Sequence, residues 1–400
     1  MKAEHKKIEK ISYLFTSAKD LLTWMKTYSE LMIDLAYSAL LFSSEQLRDY
    51  VMELENTVDR LGYQLMMSVS LSVRDKEDAE MAVGLFRVAN SANKISGAAA
   101  DMASLVEKDY DSHPLFESVF AYAEEQLTMV SVDANSKLVG DTIDNIWEKH
   151  DINVDIIASR LRGEWKLNPS SSHTISEGEV LFARGSEHEI DSFEEFASGK
   201  VTPRPKKRSD EPENPLERVM LEMKETSEFM VSLAYAAVTF DDVELAEEVS
   251  ELEDRLDDLC DIMTKEILSM VDDVNSRSDL IHIAYATEQI GDAAWEMAMV
   301  QLSGLQTHPI IKSIVNEADE IVARVILTNT SPLVGKSLKE LALDDNYGLY
   351  VQSVKREGFW LHKPSSALHL KAGDTLVVDG YKEGLADLRE ANSGKPPSED

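Results

Sequence analysis

The feature that most constrains this chain is that it is written twice, so any fold proposed for one half must also suit the other. Met25-Lys26-Thr27-Tyr28-Ser29-Glu30 returns as Met223-Lys224-Glu225-Thr226-Ser227-Glu228, Leu35-Ala36-Tyr37 as Leu233-Ala234-Tyr235, and Glu53-Leu54-Glu55 as Glu251-Leu252-Glu253, each 198 residues later. Further on the offset is 195: His113-Pro114 pairs with His308-Pro309, Leu138-Val139-Gly140 with Leu333-Val334-Gly335, and Gly178 with Gly373. The three-residue change falls between Met66 and Val88, where a helix–helix loop is expected to absorb it.

Each copy changes character part-way. Its first two thirds read as long amphipathic helices with few glycines. In the second copy the pattern predicts helices over 215–240, 242–271, 276–304 and 308–324, with Asp241-Asp242 as an N-cap and Pro309 in a first turn. Long helices with short loops make a bundle. The period then shortens. Val325-Ile326-Leu327, Leu349 to Val354 and Thr375 to Val378 read as strands, Leu338 to Leu341 and Lys382 to Glu390 as helices. The expected fold class is multidomain: all-α helical bundles alternating with small α+β lobes, the whole unit duplicated. The expected boundaries are a bundle at 1–130, a lobe at 131–199, a charged Pro-rich linker at 200–214, a bundle at 215–324, a lobe at 325–390 and a disordered tail at 391–400.

Charge narrows the functional classes. Forty Lys+Arg against 74 Asp+Glu give −34, which opposes nucleic acid and anionic membrane surfaces alike. The single cysteine, Cys260, excludes an intramolecular disulfide and a cysteine-cluster zinc site. The N-terminus lacks the apolar core of a signal peptide, and Met32 to Phe42 is too short and too interrupted, at Asp34, for a membrane span. A cytoplasmic protein is expected, peripheral to the membrane only through a partner.

The helical parts resemble PhoU domains. The resemblance rests on Leu233-Ala234-Tyr235-Ala236-Ala237, Asp241 to Ala246, Glu253-Asp254-Arg255-Leu256-Asp257 and Glu288-Gln289-Ile290-Gly291-Asp292. The lobes resemble TrkA-C domains, the C-terminal half of RCK proteins, through Ser331 to Leu341, Val351 to Gly358 and Gly373 to Gly380. The resemblance implies regulation rather than catalysis. It points to a potassium or other cation channel or transporter as membrane partner, to pairing of lobes within the chain or in a homodimer, and to a small anionic ligand such as cyclic di-AMP. The alternative it carries is a metal-bearing PhoU-type adaptor of phosphate uptake and signalling. The Rossmann half of RCK proteins is missing: no Gly-x-Gly-x-x-Gly follows a strand, and neither NAD nor haem is expected.

Two groups of residues are candidates for binding. Glu253 and Asp257 stand at i,i+4, as do Glu288 and Asp292, with Glu296 one turn on. Each set shares a helix face, where like charges cost about 0.2–0.5 kcal/mol per pair, so helix stability does not account for them. A divalent ion, or an iron- or zinc-type metal, in the second bundle would account for them, as the PhoU resemblance also implies; a solvated acidic face is the bland reading. In the first copy Glu55 and Asp59 persist and Asp101 replaces Glu296, but Asn93 and Gly97 replace Glu288 and Asp292, so weak metal binding or none is expected there. For an anionic ligand the second lobe offers Lys355, Arg356, His362 and Lys363, with Tyr350 to stack on a base, and the first lobe keeps Arg160. Arg356 is the leading candidate, because a guanidinium grips phosphate in two places. Solvent-facing strand ends are the bland reading of these bases. No enzyme constellation stands out: there is no His-Glu-x-x-His, and nothing beside Cys260 would activate it.

Overall fold

The computed structural model describes residues 12–13, 15–106, 113–122, 126–150, 152–167, 169–203, 212, 214–305, 320–362 and 364–393. The first copy opens with three long helices, α1 (Ala18–Leu41), α2 (Glu45–Ser72) and α3 (Lys76–Ser104), and the second with α7 (Pro215–Phe240), α8 (Val243–Met270) and α9 (Val274–Leu302). Their starts are set by capping side chains, which accept first-turn N–H groups: Ser44 for α2, Asp75 for α3, Asp242 for α8 and Asp273 for α9. Each antiparallel trio buries its apolar stripes inward, and the trios also pack on each other, chiefly through α3 against α9, so that one core runs through both. At that junction the Tyr37 hydroxyl meets Thr287 Oγ1 at 2.8 Å, and burial pushes its pKa up to about 12.

The turns joining the second and third helices are equal in length, residues 73–75 and 271–273. The three-residue difference therefore does not lie in that loop: α3 and α9 both run 29 residues, so against the 195-residue offset α3 starts three residues earlier and α9 ends three residues later. In the first copy a short helix, α4 (Pro114–Phe120), crosses to pack on α7 of the second.

The first lobe holds β1 (Gln126–Ser131), α5 (Ile143–His150), β2 (Asp155–Leu161), β3 (Glu164–Leu167), β4 (Val180–Gly185) and α6 (Glu187–Ser198). The second holds β5 (Glu320–Ile326), the short helices α10 (Leu338–Leu341) and α11 (Leu343–Tyr347), then β6 (Leu349–Arg356), β7 (Phe359–His362), β8 (Thr375–Tyr381) and α12 (Lys382–Asn392). The sheets are antiparallel with matching orders, β1-β4-β2-β3 and β5-β8-β6-β7, and carry a register shift at the same place, Ile156/Ala158 and Val351/Ser353. One face of each sheet builds the lobe's own core, from Leu181, Phe193 and Ile146 in the first and from Val354, Leu376 and Leu388 in the second. The other face lies on the helices, through Phe182 and Val377.

Several expectations change. The helix foreseen at 308–324 gives way to strand from Glu320, while 308–319 lie outside the described residues. The edge strands β3 and β7 were not foreseen; four residues are too few for a clear period. The closing helix takes in Ala391 and Asn392, and Asn392 is buried, donating from Nδ2 to the Ile326 carbonyl at 2.8 Å. No strand of one sheet pairs with a strand of the other among the described residues. The lobes approach one another at Lys26 of α1 instead. Burial lowers its pKa, but Glu30 and, more weakly, Asp379 of the second lobe outweigh that and leave it raised, with Arg184 of the first lobe opposing. No helix of the described residues is long and apolar enough to cross a membrane.

Candidate functional site

The acidic candidates come together between α8 and α9. Gly291 favours this close approach, since a Cβ there would run into the tip of the buried Leu256 side chain of α8. Carboxylate oxygens of Glu253, Asp257 and Asp292 fall within 4.8 Å of one another. Burial, followed by Asp292, Asp257 and Glu253, raises Glu288 to about 7, and Glu253 and Asp292 are raised for the same kinds of reason. An all-oxygen set of converging, mutually repelling carboxylates fits a hard or borderline divalent cation. Glu253, Asp257 and Asp292 would hold it, with Glu288 beside them. Glu296 is drawn away: Lys94 of α3 donates to both its oxygens, at 2.6 and 2.7 Å. In the first bundle, burial and then Asp59 and Asp101 raise Glu55, but Asn93 occupies the place of Glu288.

The basic candidates do not form one pocket. Neighbouring residues of a strand face opposite ways, and Lys355 and Arg356 do so here. Lys355 turns to the bundle, where Nζ donates to Glu248 at 2.5 Å and Glu251 at 2.6 Å, both on α8. Arg356 turns into its own lobe and grips the buried Asp374 with Nε and Nη2, at 2.8 and 2.6 Å, while Nη2 also reaches the His369 carbonyl. Arg160 bonds Glu53 of α2, at 2.7 Å from Nη2. Tyr350 is largely exposed on β6, opposite Asp379. His362 ends β7 opposite Ser353, and Lys363 lies outside the described residues.

Comparison with known domains agrees with this architecture. The TrkA-C domain family matches residues 127–198 and 322–392, and the PhoU domain family matches 22–106 and 220–300. The chain carries two PhoU domains and two TrkA-C domains in alternation. Both are regulatory families rather than catalytic ones. No curated protein matches the sequence. Among solved structures, PhoU from Pseudomonas aeruginosa is 13% identical with a TM-score of 0.40, over 75% of this chain and 96% of that one. The GsuK RCK domain is 10% identical with a TM-score of 0.18, over 80% and 79%. The GsuK channel bound to NAD is 12% identical with a TM-score of 0.19, over 84% and 66%.

The residues that sequence reasoning missed are the carboxylates under the bases. Glu248 and Asp374 are nearly inaccessible, and Arg324 of β5 joins Lys355 on Glu248, at 3.0 Å from Nη1, while Nη2 bonds Glu244 at 2.6 Å. One signal was available. The repeat offsets map Lys355 onto Arg160 and Glu251 onto Glu53, so a cation on a lobe strand and a carboxylate on a bundle helix recur together.

Proposed function

We propose that this protein is a non-catalytic regulator of cation transport, with potassium the leading cation. Its second PhoU domain would carry a divalent metal and its TrkA-C lobes would relay ligand state to a membrane channel or transporter. The observation that carries this reading is the docking of each lobe on the helix that bears its own bundle's acidic cluster. On α8, Glu248 and Glu251 hold the second lobe directly ahead of Glu253 and Asp257. Ligands at the two places therefore share one rigid element, and whatever favours one lobe position over another biases both. The protein would act in the cytoplasm, reaching the membrane through its partner. A small anionic ligand such as cyclic di-AMP would have to displace carboxylates from Lys355 and Arg356 or bind beside them.

Uptake assays in cells lacking the protein test this. The reading predicts altered rubidium uptake, restored by the intact chain, with phosphate uptake unchanged. The acidic cluster itself favours a second reading, a metal-bearing adaptor of phosphate signalling; altered phosphate uptake with normal rubidium uptake would select it. Calorimetry with cyclic di-AMP, and ATP as control, tests the lobes separately.

A further inference from the structure

The two lobes lie on their bundles by different physics, at corresponding positions. Under the first lobe, Tyr50, Trp165 and Phe182 form an aromatic cluster with ring centroids 5.1–5.7 Å apart, and the Arg160 guanidinium lies 5.0 Å from the Tyr50 ring. A single carboxylate, Glu53, takes Arg160 and the Trp165 Nε1–H. Under the second lobe the repeat replaces Tyr50 with Glu248, Phe182 with Val377 and Met129 with Arg324. Two cations now meet three carboxylates, while the apolar seat narrows to the buried Val377 and to Trp360 packed on Phe229, which stands where the first copy has Leu31. The helices differ in the same sense: α8 holds ten Asp+Glu and two Lys+Arg, α2 five and two.

Aromatic burial is insensitive to monovalent salt, whereas attraction between partly exposed charges is not. The screening length falls from about 10 Å at 0.1 M to about 3 Å at 1 M. Glu248 is buried, but Glu244 and Glu251, which complete the grip, have side chains 66% and 63% exposed. We infer that docking of the second lobe on α8 is gated by ionic strength, while the first lobe stays docked as a fixed reference. At low salt Arg324 and Lys355 hold the lobe on α8; at high salt it releases and exposes that sheet face. The inference stands on the contacts alone and does not require the transport reading.

Spin-label distances in the full chain test it, in a Cys260→Ser background. One label pair joins the second lobe to α8 (Lys371→Cys with Lys265→Cys) and another joins the first lobe to α2 (Glu177→Cys with Arg60→Cys). Between 0.1 M and 1 M KCl or NaCl, the undocked fraction of the second-lobe pair should rise by roughly fivefold or more, and the first-lobe pair should not move. Glu244→Gln with Glu251→Gln, both at exposed positions, should shift the transition to lower salt. An unchanged second-lobe distance, equal movement of both lobes, or a response to potassium without one to sodium would overturn the inference.

Discussion

The two copies share strand order and even the position of a register shift, yet differ at several of the places where chemistry could occur. Where the first bundle has Asn93 and Gly97 the second has Glu288 and Asp292; where the first lobe rests on Tyr50 the second rests on Glu248. The buried carboxylate inside each lobe is kept but its partner is exchanged: the His173 imidazole lies 2.7 Å from Glu179, and Arg356 faces Asp374 at 2.6 Å. The repeat keeps the scaffold while these contact residues differ. The apolar stripes and capping positions recur with like residues, as Ser44 and Asp242 do at the starts of α2 and α8, whereas positions between lobe and bundle change chemical type.

The largest expected effect comes from the exchanged pair. Arg356→Ala leaves Asp374 buried with, among the described residues, the Lys371 backbone N–H as its remaining side-chain partner, and should cost about 3–5 kcal/mol in urea unfolding of the second lobe. Loss of ligand binding in that variant would therefore report damage to the lobe, not a missing ligand contact. Glu248→Gln removes the carboxylate shared by Arg324 and Lys355, and should cost about 2–3 kcal/mol with the first lobe unaffected, as read by hydrogen exchange of β5 and β6 against β1 and β2.

The acidic clusters sharpen the comparison through pH. Glu288 has its folded pKa raised to about 7 from an ordinary value near 4.5, so the folded state binds the extra proton between those limits. Stability of the metal-free protein should fall as pH rises from 4.5 through 7, a slope that Glu288→Gln removes. Manganese added at pH 7.5 should raise the melting temperature, and EDTA should reverse it. The smallest effect is expected at the exposed cross-copy pair: Lys94→Ala should cost under about 1 kcal/mol in thermal unfolding.

The duplication, the helices and most strands are legible in the sequence because caps and apolar periods are local signals. The i,i+4 carboxylates are legible for the same reason, since one helix face carries them. The capture of Glu296 by Lys94 is not, because it joins helices from different copies. Nor are the partners of Lys355 and Arg356: a basic residue at a strand end looks free until the carboxylate opposite, 107 or 18 residues away in the chain, is brought to it.

The account rests on the second copy being the one that binds a cation, and metal stoichiometry tests that most directly. Purified protein stripped with EDTA and titrated with manganese should take up one ion per chain, lost in Asp257→Asn and kept in Asp59→Asn. Two ions per chain, none, or loss on changing Asp59 alone would contradict it.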